Sequence, residues 1–269
     1  MAIDISFDRI ARSYDAQRAH PPEVSARVGA AIAAVAGPGA RVLELGAGTG
    51  RIALPTAAAG CRVVGIDIAI EMLRVAGSGV RSRHAAECQL IHGDIMRLPL
   101  RDGAFDAVLA VHVLHLVSDW RAALAEAVRV LRPGAAFIQG RDWRDPQSCA
   151  ERLRAKLREV VMDLVPGARP PGAGAAIAQA LARHGGAAEP EIVAAEWTGR
   201  ASPNAVLAGM AARADAETWA LEDDLLAAAL ARVRAWAEQT WDDLAAEQNV
   251  AQRFVLNVSR GPWTKSAAT

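Results

Sequence analysis

A glycine-rich turn follows the first apolar run of the chain. It reads ELGAGTGR over residues 44–51, and a helical pattern comes after it. Glycines at a strand-to-helix turn let a ligand approach the backbone closely, and the start of a helix favours an anionic group. A dinucleotide fingerprint requires a small residue where this chain has Arg51, so the GxGxG spacing favours a different adenosine ligand, S-adenosylmethionine. The residues of the turn that we expect to contact it are Glu44, Gly46, Gly48, Thr49 and Gly50.

Two acidic residues end the next two apolar runs. Asp67 closes VVGID, and Asp94 closes LIHGD, so both are expected at the carboxyl edge of a sheet. There Asp67 could accept hydrogen bonds from two ribose hydroxyls, and Asp94 from an adenine amino group. The alternative is that each acid only caps the helix that follows it. Together with the glycine turn, the two acids favour the ligand site. The apolar residues that could enclose the purine ring are Ile68, Met72, Ile95 and Met96.

Two histidines follow the fourth apolar run. His112 is expected at the end of the strand, where an imidazole that titrates near neutrality could act as a general base or orient a substrate. His115 is interpreted as structural or as a substrate contact, and no metal site is expected because the pair lacks a third local ligand. His20 is a further candidate for the substrate pocket. Three residues at the end of the fifth run are candidate substrate contacts or, alternatively, a salt-bridged loop with a half-buried tryptophan: Arg141, Asp142 and Trp143.

The elements that must position these residues alternate between strands and helices, as in a parallel sheet covered on both faces. Strands are predicted at 41–46, 61–67, 88–94, 104–111, 135–140, 190–199 and 252–261. Helices are predicted at 4–18, 22–36, 50–59, 69–87 with a break at Gly77-Ser78-Gly79, 119–131, 147–165, 173–184, 203–213 and 221–247. The last helix carries an apolar stripe that predicts core packing, formed by Leu226, Leu230, Val233, Ala237 and Trp241. The final eight residues, PWTKSAAT, are predicted to form a loose tail.

Composition limits the possible functions. Of the 269 residues, 52% are hydrophobic and 22% charged, which predicts a folded chain with a sizeable core. Basic and acidic residues balance at 30 each, which argues against a nucleic-acid partner. Three widely spaced cysteines suggest reduced thiols in the cytoplasm. We recognise neither a signal peptide nor a membrane-spanning run, so a cytoplasmic protein without a membrane partner is expected.

The order of these motifs resembles that of class I S-adenosylmethionine-dependent methyltransferases, most closely the ubiquinone/menaquinone-biosynthesis-like (methyltransferase type 11) group. The resemblance covers about residues 5–142 and rests on VLELGAGTGRIALP, VVGIDIAIEML, LIHGDIMRLPLRDGAFDAVLAVHVLHLV and EAVRVLRPGAAFI. This chain departs from the family at Pro133-Gly134-Ala135, where the family often has PGG. The second glycine of PGG serves a turn and not the ligand, so the expected cofactor is unaffected. The resemblance implies an α/β fold: a Rossmann-like, doubly wound, seven-stranded sheet with an antiparallel last strand and helical lid insertions.

The resemblance also implies roles for individual residues. The three glycines of the turn would line the methionine and ribose of the cofactor, Asp67 the ribose, and Asp94 with Ile95 the adenine. Val111 and His112 would border the methionine arm. The segment SFDRIARSYDAQR resembles a helix that folds over the cofactor, so Tyr14 and Arg18 would cover it and bind its carboxylate; alternatively, Tyr14 packs on the sheet edge and Arg18 is solvated.

The resemblance implies four regions and one reaction. N-terminal helices (1–39) cover the cofactor, residues 40–145 form its Rossmann-like core, 146–189 and 200–249 are helical lid insertions, and strands at 190–199 and 250–262 complete the sheet.

We expect methyl transfer from S-adenosylmethionine to a small-molecule acceptor by in-line displacement, in a monomer or homodimer. The alternatives are methylation of RNA or protein and a non-catalytic S-adenosylmethionine-binding regulator. A dehydrogenase that uses NAD is disfavoured by Arg51.

Overall fold

The apolar runs form one sheet in the computed structural model of the chain, which describes residues 11–82, 87–165, 174–214, 216–219 and 221–264. Its strands are β1 (Arg41–Leu45), β2 (Arg62–Asp67), β3 (Cys88–His92), β4 (Phe105–Val111), β5 (Leu131–Arg144), β6 (Ala187–Ala188), β7 (Ile192–Ala201) and β8 (Gln248–Arg260). They lie in the order β3-β2-β1-β4-β5-β8-β6, and β7 also pairs with β8. β1 to β5 are parallel, and the last strands are antiparallel. The predicted Rossmann-like fold is confirmed. The sheet of the described residues has eight strands where seven were predicted, and the additional strand is the two-residue β6.

Helices connect the parallel strands, as the alternating pattern predicts. They are α1 (Ala11–Arg18), α2 (Pro22–Ala36), α3 (Ala53–Ala58), α4 (Ile70–Ser82), α5 (Trp120–Val130), α6 (Cys149–Leu164), α7 (Gly174–Arg183), α8 (Pro203–Ala211), α9 (Ala216–Trp219) and α10 (Asp223–Thr240). Capping follows ordinary rules: the Asp119 carboxylate accepts from the N–H groups of Arg121 and Ala122 at the start of α5. Of the helices that the structure describes, none combines the length and apolar character needed to cross a bilayer.

The central strands are buried because helices cover the sheet. Val42, Leu43 and Leu45 on β1 are fully buried, as are Phe137 and Ile138 on β5. Strands enclosed in this way carry nearly continuous apolar runs, which is the pattern that identified them in the sequence. Since the carboxyl ends of β1, β2 and β4 meet at one edge, the turns that follow these strands lie side by side there.

The chain divides into two compact units. The first contains the described residues within Met1–Arg141, Gly172–Ala195 and Phe254–Thr269, and the second those within Asp142–Pro171 and Glu196–Arg253. In the second unit, α6, α8 and α10 share an apolar core formed by Leu153, Leu157, Val160, Leu207, Met210, Ala229, Val233 and Ala237. The predicted packing of the α10 stripe is confirmed, because Leu230 and Trp241 pack against this core and Leu226 is buried as well.

The region predicted as a helical insertion over 146–189 is divided between the two units. Its first helix, α6, belongs to the second unit, whereas α7 belongs to the first. The reason is packing: Ile177 and Leu181 of α7 are buried in the same apolar cluster as Phe137 of β5. Sequence periodicity shows that a helix has an apolar face but does not show which core that face joins.

The predicted break in the helix over 69–87 is wrong. α4 continues through Gly77-Ser78-Gly79 to Ser82, and residues 83–86 lie outside the described part of the chain. The Ser78 hydroxyl donates to the Arg74 carbonyl one turn earlier. A Cβ atom at Gly79 would lie 2.6 Å from Leu54 Cδ1, so this glycine lets α3 and α4 approach each other. It is a packing feature rather than a helix breaker.

Two further boundaries also differ. α10 ends at Thr240 rather than at residue 247, because Trp241 turns to an extended conformation. The tail prediction is wrong at Trp263, whose side chain is 7% exposed and whose indole N–H donates to the Ala135 carbonyl over 2.8 Å. The first seven residues of the helix predicted at 4–18 lie outside the described residues.

Candidate functional site

The glycine turn after β1 has the backbone conformation that its sequence requires. Gly46, Gly48 and Gly50 adopt left-handed φ angles of 67°, 55° and 81°. At Gly46 a Cβ atom would lie 2.4 Å from Val113 Cγ2, so a glycine is needed for packing. At Gly48, by contrast, none of the described atoms lies within 4 Å of that position. The backbone at Gly48 is therefore open to close approach by a ligand.

Asp67, at the end of β2, is joined to the glycine turn. Its Oδ2 accepts from the Gly48 N–H over 2.7 Å, and its Oδ1 accepts from the Ala69 N–H over 2.8 Å. The second bond is the cap predicted as the alternative role, because it lies at the start of α4. The first bond is of another kind, since it ties the end of β2 to the turn after β1. The expected contact with a ribose remains a prediction.

Asp94 and the apolar residues expected around a purine differ in accessibility. The Asp94 carboxylate accepts from the Met96 N–H over 2.8 Å within a turn, and among the described residues no helix lies between β3 and β4 for it to cap. The Ile68 side chain is 69% exposed, whereas Met72 and Ile95 are 2% and 5% exposed. Met72 is buried against α1, and Ile95 belongs to the core of the first unit. Of these side chains, Ile68 presents the largest free apolar surface.

Glu44 is buried beneath the glycine turn. The residue is 2% exposed, and within the described parts of the chain no group is hydrogen-bonded to its Oε2. Burial raises the pKa of this carboxyl from 4.5 to about 8; Arg51 opposes the shift, Asp67 adds to it, and the Ala53 N–H donates to the carboxyl. A buried carboxyl oxygen without a donor is costly, so it favours a ligand that brings a cation or a donor to the turn.

The helix α1 and the residues that follow it are bonded to the glycine turn by two side-chain contacts. Thr49 Oγ1 donates to Asp15 Oδ1 over 2.6 Å, and Arg51 Nη1 lies 2.8 Å from His20 Nε2. Asp15 is not among the predicted site residues, although it follows Tyr14 in the helix predicted to cover the cofactor. Tyr14 itself packs against the small cluster of Ala11, Ala69 and Met72. Arg18 is half-buried.

His20 lies in a different cavity from the other candidate histidines. A cavity of about 910 Å³ is lined by Asp15, His20, Thr49 and Arg51 together with small apolar residues of α2, α3 and α4. The His20 ring also packs edge-to-face on Phe254 of β8, with the ring centroids 5.4 Å apart. The structure therefore associates His20 with the glycine turn and not with the end of β4.

Residues of β4, of the loop after it, of β5 and of α7 line a second, smaller cavity. It has a volume of about 110 Å³, and His112, His115, Gln139 and Arg141 contribute polar groups to it. His112 is exposed and has a left-handed φ of 51°, which is uncommon outside glycine. Arg141 pairs with Glu191 over 2.8 Å. Three candidate substrate residues thus meet in one place, and the described residues contain no cluster of three or more metal-ligating side chains.

The remaining candidates, Asp142 and Trp143, belong to the second unit. There the Trp143 ring lies 4.8 Å from the guanidinium carbon of Arg253, and Arg253 is paired with Glu196. Trp143 is half-buried, as the alternative interpretation expects. A substrate contact by either residue remains a prediction.

An ion pair on α5 fixes the loop that follows Asp94. Arg129 binds both carboxylate oxygens of Glu126, the carbonyls of Leu98 and Leu100, and Asp102. Glu126 Oε2 also accepts from the Leu98 N–H. The Arg129 guanidinium lowers the pKa of Glu126. In the sequence, the pair is visible only as an acidic and a basic residue three positions apart on one helix. Because such pairs usually lie on the surface, the spacing does not predict that this pair holds a loop.

Part of the chain is similar in sequence to known methyltransferases. Residues 43–139 match the family described as a methyltransferase domain. Demethylmenaquinone methyltransferase of Renibacterium salmoninarum is 40% identical over 101 residues, which cover 38% of this chain and 40% of the relative. Malonyl-[acyl-carrier protein] O-methyltransferase of Serratia marcescens is 39% identical over 137 residues, 51% of each chain. The chain therefore spans about half the length of these relatives or less.

A solved structure has a similar fold at low sequence identity. Phosphoethanolamine N-methyltransferase 2 of Haemonchus contortus, in complex with phosphomonomethylethanolamine and S-adenosylhomocysteine, superposes with a TM-score of 0.53 at 16% identity. The alignment covers 95% of this chain and 57% of that one. At this identity the likeness demonstrates the fold and carries no argument about the acceptor.

Proposed function

Because residues 43–139 match the methyltransferase-domain family, we propose that this chain is a class I enzyme that transfers a methyl group from S-adenosylmethionine to a small-molecule acceptor. The names of the two relatives give acceptors of two kinds, a demethylated menaquinone and a malonyl group on a carrier protein. Both present an oxygen or carbon nucleophile that becomes more reactive on losing a proton. Acceptors of this chemistry are the first to test.

The observation that carries the proposal is the bond between Asp67 and Gly48. It fixes a carboxylate at the end of β2 against an open glycine turn at the end of β1, over 2.7 Å. Such an arrangement suits a ligand that combines a ribose with a charged arm. The buried Oε2 of Glu44, close to the same turn, suits the ammonium group of that arm.

The residues that would hold the cofactor are therefore on adjoining strand ends. Gly48 would allow its close approach, Asp67 would bind the ribose, and Ile68 would cover one face of the adenine. When bound, S-adenosylmethionine supplies a methyl group on a positively charged sulfur. The protein has to align the acceptor with that methyl and exclude water, and positioning of this kind can lower a barrier by about 7–11 kcal/mol.

The cavity lined by β4, β5 and the loop after β4 is the proposed acceptor site. His112 and His115 could orient an acceptor oxygen there, and Arg141 could attract an anionic group. An acceptor that reacts as an anion needs no base. An acceptor that carries a proton would give it to His112, an exposed residue that lines the cavity.

The test is turnover of purified protein with S-adenosylmethionine, measured as S-adenosylhomocysteine by mass spectrometry. The acceptors should include demethylated naphthoquinols, malonyl thioesters and bulk tRNA, and NAD binding should be measured in parallel. We expect methylation of one of the small acceptors and none of tRNA. Methylation of tRNA alone, or NAD bound more tightly than S-adenosylhomocysteine, would contradict the proposal.

A further inference from the structure

The carboxyl group of Glu44 lies in an unusual environment for a charged side chain. Its neighbour in register on β2 is Gly65, which contributes no side chain, and its neighbour on β4 is the apolar Leu109. The Ala53 N–H donates to the carboxyl, while Oε2 has no hydrogen-bond partner among the described residues. One oxygen of a buried acid is thus satisfied and the other is not.

The charged groups near Glu44 do not compensate for its burial. Arg51 attracts the carboxylate but is also engaged with His20. Asp67 repels it, and the Cys88 thiol stays neutral near pH 7 because burial, with a contribution from Glu44, raises the pKa of that thiol to about 11. With its own pKa near 8, Glu44 is mostly protonated at pH 7.

We propose that Glu44 carries a proton in the cofactor-free protein and releases it to solvent when the cationic methionine arm of S-adenosylmethionine or S-adenosylhomocysteine binds at the glycine turn. The inference rests on the proposed function, because it takes its ligand from there. The O–H bond of the carboxyl breaks, the proton leaves as hydronium or on buffer, and the carboxylate remains as the counter-ion of the ligand's ammonium group. No other reactant is needed.

This coupling has a definite sign. A group with a pKa near 8 that becomes ionised on binding releases about 0.9 of a proton per ligand at pH 7. The Kd of S-adenosylhomocysteine should therefore fall as the pH rises from 6 to 8, at a rate that approaches about tenfold per pH unit. Above pH 8 the effect of Glu44 should fade, since a carboxyl with a pKa of about 8 is already more than half ionised there.

The experiment is calorimetry of S-adenosylhomocysteine binding at pH 7 in phosphate and in Tris, whose ionisation enthalpies differ. The dependence of the apparent enthalpy on the buffer gives the number of protons released. Wild type and the exposed matched control Glu23→Gln should each release close to one proton, and Glu44→Gln should release almost none. Glu44→Gln should also bind with a Kd that changes much less between pH 6 and pH 8 than that of wild type.

A second ligand tests the same idea without a substitution at Glu44. 5′-Methylthioadenosine keeps the adenosine but lacks the ammonium and carboxylate, so its binding to wild type should release almost no proton. Equal release with both ligands, no release with S-adenosylhomocysteine, or undiminished release in a folded Glu44→Gln variant would overturn the inference. Binding of S-adenosylhomocysteine without proton release leaves methyl transfer intact, whereas failure of S-adenosylhomocysteine to bind at all contradicts the proposed function itself.

Discussion

Replacing Asp67 by alanine separates its two possible roles. The substitution removes two hydrogen bonds to a carboxylate, from Gly48 N–H over 2.7 Å and from Ala69 N–H over 2.8 Å. Hydrogen bonds to a charged group contribute about 1.5–3 kcal/mol each, so the free energy of unfolding should fall by roughly 2–4 kcal/mol after partial compensation by water. The cofactor would lose its ribose acceptor as well, which should weaken binding by about 2 kcal/mol, or about 30-fold in Kd.

The assay is urea unfolding together with calorimetry of S-adenosylhomocysteine. Asp119→Ala is the matched control, because Asp119 also caps a helix by accepting from two backbone N–H groups, those of Arg121 and Ala122. Because Asp119 is exposed, its replacement should cost only about 1 kcal/mol of stability, and it should leave the Kd unchanged. If Asp67→Ala behaves like this control, losing stability while it retains wild-type affinity, then Asp67 is only a cap and the reasoning about the ribose is wrong.

Three further predictions concern catalysis and stability. His112→Ala should lower turnover by about 100-fold to 10,000-fold if His112 takes a proton from the acceptor, with little change in the Kd of S-adenosylhomocysteine; a near-normal rate in a stable variant would remove it from the mechanism. Gly29→Ala should lower the free energy of unfolding by about 2–3 kcal/mol in urea, because its Cβ would lie 2.3 Å from the Pro55 carbonyl oxygen, and an unchanged midpoint would contradict the close contact of α2 and α3. Since Arg129 lowers the pKa of Glu126, the stability from this pair is fully present above pH 4.5 and is lost as the pH falls through the lowered pKa of Glu126. Arg129→Met should therefore lower Tm at pH 7 and make Tm fall less steeply between pH 5 and pH 3. Parallel curves of Tm against pH for the variant and wild type would refute this.

Much of the first unit could be predicted because its sequence signals are local. The strand ends that carry Asp67 and Asp94 follow apolar runs, and the glycine turn has its own spacing, so chain order and the rules of parallel sheets suffice to place them together. The His112 prediction used the same logic, and the structure does bring His112 and Arg141 to one cavity.

Other features depend on partners that are distant in the sequence. In the sequence, Gly79 looks the same whether it breaks a helix or allows two helices to pack closely. Only the position of Leu54 in the structure shows that its role is close packing. Trp263 lies in a polar C-terminal segment, but Ala135, a partner 128 residues away, accepts its N–H. The bond between Asp15 and Thr49 and the burial of Glu44 likewise arise only after the helices have packed.

The place of β8 between β5 and β6 has a consequence for the chain during its synthesis. β5 ends at Arg144 and its partner begins at Gln248, so about 100 residues must be translated before this edge of the growing sheet is paired. At roughly 5–20 residues per second, the ribosome needs about 5–20 s for that interval. Throughout it, the nascent protein displays β5, with the apolar stretch Ala135–Ile138 and open backbone groups, the kind of edge that pairs with other chains. Slow elongation or a missing chaperone should therefore reduce the yield of soluble protein even though the stability of the folded protein is unchanged.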